Sequence, residues 1–519
     1  MRKILKCCVF IYFLSLCTLC WCYKILVLFP MVGKSHGILG KSCIDLLLDA
    51  GHQVTYLAWS PGFISHQNLT VIDISFPGVM ENRFDIKRTM DREVDLGNMN
   101  EFLMTMSGIQ RRIVEQEQVQ KLLSDPEQNF DLVILEWLAG EYITGIAAVF
   151  GCPYIWLSSF EPDFLMMTLI GEYTGLAYVP TPVFSSLQRM WSMKRHISAY
   201  LFREFYIQQI EEIEYQRVFA PLIAKRHKVI PSYSELRYNA SLILGNSHNS
   251  VGKVIQLPQA YKAIGGYHII KKNIQPLPKD LKNLMDRSTN GVIYFSMGTF
   301  LPGKSFPDEI KQRILKVFAG LKQTVLWKFE TDLPNRPSNV HIISWSPQQS
   351  ILDHPNCVLF ISHGGQLSSL EALHFGVPLI GIPVFADQHM NVKTLVNKGV
   401  AKEVHLSYDM AEDLKAAIEE VLGNASYAEA VKHYSYVYHH RTAPPGAELV
   451  HWVEHVVQTR GALHLRAVYR MMPWYQKCYL DVASVAIAVV IFLILATKWL
   501  FRKLKTFFVN QISDLKKKQ

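Results

Sequence analysis

The sequence predicts an α/β protein of two doubly wound, parallel-sheet domains facing a cleft, followed by one membrane-spanning helix. Three observations predict it. Short runs that are apolar throughout recur in both halves and alternate with helix-like stretches, the pattern of parallel strands covered on both faces. A stretch rich in Gly, Lys and Pro, GGYHIIKKNIQPLPKDL from Gly265, separates the halves. A long apolar segment near the C-terminus, LDVASVAIAVVIFLILATKWLF, is flanked by aromatic and basic residues, as at a membrane interface.

The elements follow in order. Arg2, Lys3 and Lys6 precede CCVFIYFLSLCTLCWC. A basic start and a short apolar core read as a secretory signal over 1–22, with Cys20 and Cys22 at the cleavage positions and Tyr23 first in the mature chain. A retained N-terminal anchor is the alternative. YKILVLFP, MVGKSHG and LGKSCIDLLLDAGH then spell strand, glycine-containing loop and helix, the opening of a βαβ unit, and QVTYLAW is the next strand. FDLVILE and PYIWLSS read as two more strands, with the helical TGIAAVFG between them. From about 160 to 235 the pattern changes to aromatic-rich helical segments, FLMMTLIGEY and MKRHISAYLFREFYIQQIEEIEYQRV. These suit core helices, an apolar substrate pocket or a membrane-facing surface. The first domain spans 23–265, with a linker over 266–288. The second, 289–465, repeats the series as GVIYFSMGT, EIKQRILKVFAGL, QTVLWKF, VHIISW, CVLFISHGG, SLEALHFG and VPLIGIP. A juxtamembrane segment (466–478), a span (479–501) and a basic tail (502–519) complete the chain.

The formal net charge of +9 is topogenic. Three positive charges lie in the signal and a net six lie from Lys498 onward, which leaves the body near neutral. Nucleic acid is therefore set aside as a partner. Basic residues beyond the span place the tail in the cytoplasm and the body in the lumen. The terminal Lys-Lys-Lys-Gln is similar to a dilysine retrieval signal of the endoplasmic reticulum. Cys7, Cys8, Cys17, Cys20 and Cys22 belong to the signal and Cys478 abuts the membrane. Cys43, Cys152 and Cys357 then make neither a disulfide framework nor a zinc site. Sequons at Asn68, Asn239 and Asn424 are compatible with lumenal glycosylation.

Chemistry concentrates in SWSPQQSILDHPNCVLFISHGGQLSSLEALHFGVPLIGIPVFADQHMN. Its strand ends at His363-Gly364-Gly365 and a helix follows. Glycines there let backbone N–H groups approach an anion, and the helix N-terminus adds partial positive charge. His363 stands beside the same anion as a donor. Glu371 lies three residues after Ser368 and shares its helix face, which suits Ser368 on a phosphate and Glu371 on paired ribose hydroxyls. In the first domain, His36 follows the first strand and so lies at the cleft, where an imidazole titrating near neutrality suits a general base. No Asp-x-Asp pair occurs, so metal-dependent transfer lacks its usual ligands.

Trp345-Ser-Pro-Gln348, His363-Gly-Gly365, Glu371, Pro378, Pro383 and Asp387-Gln388 together resemble the signature of UDP-dependent glycosyltransferases. With the His in the first loop, Gly-Gly before PLP, VLWKF, RGALHLR and the lysine tail, the resemblance extends over nearly the whole chain. It points to the animal membrane-bound UDP-glycosyltransferases, that is, UDP-glucuronosyltransferases and their invertebrate relatives. The resemblance implies a GT-B-like fold of two Rossmann-like domains and a UDP-sugar as co-substrate, with neither cofactor nor metal. Trp345 would stack on the uracil and Gln348 would hydrogen-bond the nucleoside. Thr299, His363, Gly365 and Ser368 would hold the diphosphate, Glu371 the ribose, and Asp387 with Gln388 the sugar hydroxyls. Lys328 stands where the family carries a basic residue near the nucleotide. His36 aligns with the catalytic His, and Glu136 replaces the Asp that usually orients it.

Two departures follow. Leu367 stands where the family commonly has Asn, so a side-chain contact to phosphate is missing, and Glu136 is one methylene longer than Asp. They leave open a donor-binding but weak or inactive relative, or a non-enzymatic lumenal partner. UDP-sugar epimerases share the fold and nucleotide site, but soluble epimerases have no reason to carry the span and tail. The expected reaction is inverting, metal-independent transfer of a hexose to a hydroxyl of a small lipophilic acceptor. Glucose is favoured over glucuronate, for whose carboxylate no dedicated cation stands out. The expected setting is the endoplasmic-reticulum membrane, single-pass type I, with the catalytic part lumenal. Acceptor identity and homo- or hetero-oligomerisation stay open.

Overall fold

The strand KILVL is buried at every position but its first, so both its faces need covering, and the chain supplies helices on either side. The computed structural model describes residues 22–517 apart from 32, 60–64, 78–85, 92, 94–97, 172–185, 254, 300–302, 346, 468–471 and 478. Except for Cys22, the expected signal segment lies outside the described residues, as does Cys478.

In the first sheet β1 (Lys24–Leu28), β2 (Gln53–Ala58), β3 (Leu69–Asp73), β4 (Leu132–Trp137), β5 (Tyr154–Ser158), β6 (Ile243–Gly245) and β7 (Tyr261–Ala263) lie in the order β3-β2-β1-β4-β5-β6-β7. In the second, β8 (Val292–Ser296), β9 (Thr324–Lys328), β10 (Val340–Ile343), β11 (Cys357–Ser362), β12 (Leu379–Gly381) and β13 (Ala401–Glu403) lie in the order β10-β9-β8-β11-β12-β13. All pairings are parallel. Each sheet thus reverses its winding once, between β1 and β4 and between β8 and β11, and opens a crevice at the strand C-terminal ends there. The second sheet is buried on both faces. Ile293 and Phe295 of β8 enter one apolar cluster, and Val292 and Tyr294 enter the other.

The helices that position the site are α1 (Lys34–Asp49), α2 (Ser186–Phe202), α3 (Gln208–Lys225), α4 (Lys279–Arg287), α5 (Gln366–Phe375), α6 (Gln388–Asn397) and α7 (Pro445–Gln458). α5 ends at Gly376, whose φ of 69° is the left-handed closing turn, and Pro378 two residues later cannot continue a helix. α2, a π turn at Arg203–Ile207 and α3 form the aromatic-rich excursion between β5 and β6. Tyr215, Phe219 and Ile223 enter the core, while Leu201, Phe205, Tyr206 and Ile213 are exposed.

Three boundaries differ from the sequence reading. The second half of the expected linker is helix α4, and its Met285 is buried in the core of the second domain. The segment expected to close the second domain at 465 instead returns to the first. α7 packs on α1 and β4, and Leu449, Val453 and Val456 join the first domain's core. An amphipathic helix packs wherever its apolar face finds partners, and chain order does not reveal which domain offers them. The C-terminal helix α8 runs without a break from Leu480 to Lys517, so part of the expected tail continues the span. Leu480–Asn510 is long and apolar enough to cross a membrane.

Candidate active site

At the first crevice, α1 begins directly after the loop that leaves β1, which brings His36 to the cleft. Glu136 comes from β4, across the switch point. His36 Nδ1 lies 2.5 Å from Glu136 Oε1, and Glu136 has no solvent exposure. The longer Glu thus reaches the imidazole with the strand in register with its neighbours. With Nδ1–H donated to the carboxylate, Nε2 carries the ring's lone pair.

At the second crevice, the loops after β8 and β11 meet around His363. Gly298, at φ 79°, leaves no room for a side chain, because a Cβ there would lie 2.5 Å from His363 Cε1. A Cβ on Gly365, which caps the start of α5, would lie 2.6 Å from His363 Nε2. Burial, reinforced by Lys328, pushes His363 down to about 4, so the ring is neutral near pH 7 and offers one N–H donor. Lys328 Nζ donates to the Gly298 carbonyl and thereby braces the turn that carries exposed Thr299.

Gln348, Ser368 and Glu371 converge as expected. Gln348 Nε2 donates to Glu371 Oε2 at 2.5 Å and to Ser368 Oγ at 3.3 Å, and Tyr294 donates to Gln348 Oε1 at 3.2 Å. Glu371 also accepts from Gln349 Nε2 at 2.9 Å, and His268 Nε2 stands 3.3 Å from its Oε1. Burial alone would raise this carboxyl, but His268, Gln348 and Gln349 outweigh it and hold it below the usual carboxylate range.

Three expected residues are placed with a difference. Trp345 is half-exposed, yet its ring carries the Lys34 ammonium at 4.4 Å and the Lys328 ammonium at 5.6 Å from its centroid. A base stacking on an occupied face displaces a lysine. Asp387 Oδ2 accepts from Asn391 Nδ2 at 2.6 Å. Burial raises this carboxyl, with Asn391, Lys253 and His36 acting against it, so Asp387 lies within electrostatic reach of the His36 pair. Gln388 turns its Oε1 inward to accept from the Val384 and Phe385 N–H groups at 2.8 and 3.1 Å. Only its Nε2 can then serve a sugar hydroxyl.

Leu367, where a phosphate contact was expected to be missing, packs against the first domain's apolar core. Its neighbour Gln366 donates to Glu161 and to the Asn246 carbonyl of that domain. Sequence reasoning missed Lys34, Glu161, Asn246, Lys253 and His268, because nothing local marks them. His268 lies in the stretch read only as a boundary, and Lys34 lies two residues before His36. Of the sequons, Asn68 is half-buried, whereas Asn239 and Asn424 are exposed. Asn239 Oδ1 accepts from Arg466, and Asn424 Oδ1 caps the helix Ala425–His439.

Two parallel sheets, one crevice holding a histidine–carboxylate pair and the other a glycine-lined turn braced by a lysine, are the architecture of a glycosyltransferase of the GT-B class. Solved structures share this fold. The calicheamicin glycosyltransferase CalG4 aligns with a TM-score of 0.56 at 16% identity over 85% of this chain and 99% of its own. The glycotransferase of kitacinnamycin aligns at 0.55 and 18% identity, over 84% and 98%. Residues 24–518 match the family model described as UDP-glucoronosyl and UDP-glucosyl transferase, and the chain belongs to that family. UDP-glucosyltransferase 2 of Dactylopius coccus is 32% identical over 470 residues, 89% of each chain. UDP-glucuronosyltransferase 2B15 of Rattus norvegicus is 28% identical over 518 residues, 94% of each. The protein is a UDP-glycosyltransferase that moves a hexose from a UDP-sugar to an acceptor, and its apolar helix fits a membrane anchor.

Proposed function

We propose that the chain transfers glucose from UDP-glucose to a hydroxyl of a small lipophilic acceptor, with inversion and without a metal ion. The carrying observation is the 2.5 Å contact between His36 Nδ1 and Glu136, within electrostatic reach of Asp387 across the cleft. His36 Nε2 takes the acceptor's proton as its oxygen attacks the anomeric carbon from the face opposite UDP. The bond from that carbon to the β-phosphate oxygen breaks, and UDP leaves with the electron pair. Glu136 holds the imidazolium that forms. The diphosphate sits at the N-terminus of α5 and the Gly298 turn, with Thr299, His363, Gly365 and Ser368 as donors and Lys328 and Lys34 as cations. Trp345 takes the uracil after Lys34 withdraws, Gln348 the nucleoside, Glu371 the ribose, and Asp387 with Gln388 Nε2 the sugar hydroxyls.

Glucose is favoured because the Asp387 carboxylate, at the sugar's end of the site, repels a second carboxylate. A glucuronate donor is the alternative, favoured by the Lys253 ammonium within electrostatic reach of Asp387. The reading extends to the endoplasmic-reticulum membrane, with the two domains lumenal and glycosylated at Asn239 or Asn424. Microsomes expressing the chain, given UDP-glucose or UDP-glucuronate and a panel of phenols, test all of this. A glucoside with release of UDP is expected, together with loss of mass on deglycosylation. Equal rates for wild type and His36→Ala overturn the catalytic assignment. Thermal protection by UDP-sugar without transfer marks an inactive relative.

A further inference from the structure

One buried carboxylate has no part in the chemistry above. Glu161 follows β5 and is 8% exposed. Its Oε1 accepts from Gln366 Nε2 at 2.9 Å and its Oε2 from the Lys253 backbone N–H at 3.2 Å. The same Gln366 nitrogen donates to the Asn246 carbonyl at 2.8 Å, so both hydrogens of that amide are used. The receiving loops are built for this. A Cβ on Gly252 would lie 2.7 Å from the His248 carbonyl and 2.9 Å from Glu161 Oε2, so only glycine lets the chain close around the carboxylate. Asn246, with no exposure, is held in turn by Ser159 and Gly266.

The partner residue is the informative part. Gln366 is the first residue of α5, immediately after His363-Gly364-Gly365. Leu367, the second, packs on the first domain's apolar core. The opening turn of the donor-site helix is thus docked, by one polar and one apolar residue, onto the acceptor domain. Burial raises the Glu161 carboxyl, and Lys253 and Gln366 oppose that rise, as expected of a carboxylate retained for a specific partner.

We propose that Glu161 is a positioning residue of the donor site, which through Gln366 fixes the start of α5 and makes UDP binding depend on contact between the two domains. This rests on the reading that the diphosphate sits at that helix start. The position family members commonly give to a phosphate-binding Asn is spent here, as Leu367, on the same interdomain contact. Backbone donors bind an anion well only when their position is set within a fraction of an ångström, so release of the turn weakens UDP while the acceptor site keeps its shape.

The test is a double-mutant cycle on the full-length chain in detergent, reading UDP dissociation constants by calorimetry alongside Tm. Gln366→Ala and Glu161→Ala each weaken UDP roughly tenfold, and the double variant loses clearly less than the product of the two single losses, because both remove the Gln366–Glu161 contact. The KM for the acceptor stays within about twofold of wild type. If Glu161→Ala does not fold, Gln366→Ala alone reads the same loss. UDP affinity unchanged while Tm falls reduces the contact to packing and overturns the proposal, as do losses that multiply in the double variant. A wild-type chain that binds no UDP sinks the diphosphate reading itself and this proposal with it.

Discussion

At the first crevice two ionisable side chains face each other at 2.5 Å in a site closed to water on the carboxylate side. At the second, on the same topology, the histidine is held neutral and the carboxylate of Glu371 is surrounded by donors on three sides. Both crevices use a histidine shortly after a central strand, His36 in the first turn of α1 and His363 on the loop after β11. In the first the ring has a carboxylate behind it, 2.5 Å from its Nδ1. In the second the ring is buried, with a lysine beside it, and stays neutral near pH 7. The contrast teaches that the winding order supplies the location, while burial and the charge beside the imidazole set the two rings apart.

The largest effect that sharpens the contrast is loss of the base. His36→Ala is expected to lower kcat on the order of 10²- to 10⁴-fold while leaving UDP affinity unchanged, measured by single-turnover rates and calorimetry. A fall in both would break the division of labour. Glu136→Gln keeps the length but not the charge, and should cost roughly a hundredfold in kcat. Glu136→Asp, which restores the residue type common in the family, should lose more than a few-fold only if the strand cannot move to close the gap, as kcat would report. On the binding side, Glu371→Gln removes the charged acceptor and should raise the KM for UDP-sugar by about tenfold to a hundredfold at nearly constant kcat. An equal loss in kcat would show that the second crevice also acts in the transition state.

The smallest expected effect concerns pH and stability. Burial pushes His248, His363 and His374 down to about 4 from an ordinary value of 6.5. Between those values the unfolded chain binds protons that the folded chain refuses, so stability falls as pH drops through that window. Glu161 and Asp387, whose carboxyls burial raises, act in the opposite sense and soften the slope. Calorimetric Tm should therefore fall from pH 6.5 towards 4, and His374→Gln should flatten the fall.

Much of the fold could be read from the chain. Runs such as KILVL and CVLFIS are apolar at adjacent positions, which only strands covered on both faces tolerate, and the described strands lie where those runs lie. Ser368 and Glu371 share a helix face by spacing, a local quantity, while the resemblance adds Gln348 from a separate segment, and the three meet. The readings that changed were not local. Gln388 opens α6, but the direction of its amide depended on the backbone N–H groups of Val384 and Phe385.

By itself the sequence determined the two doubly wound domains, the succession of strands and helices along the chain, the apolar C-terminal helix and the shared helix face of Ser368 and Glu371. Periodicity, glycine placement and spacing along one helix act over a few residues and survive without tertiary context. Only the tertiary structure decided that α7 returns to the first domain, that Lys34 lies over Trp345, and that His268 backs Glu371. It alone docked Gln366 onto Glu161, a contact 205 residues apart along the chain. Such contacts depend on where whole sheets come to rest against each other, and on buried polar groups finding the one partner within reach. Neither is written in the residues beside them.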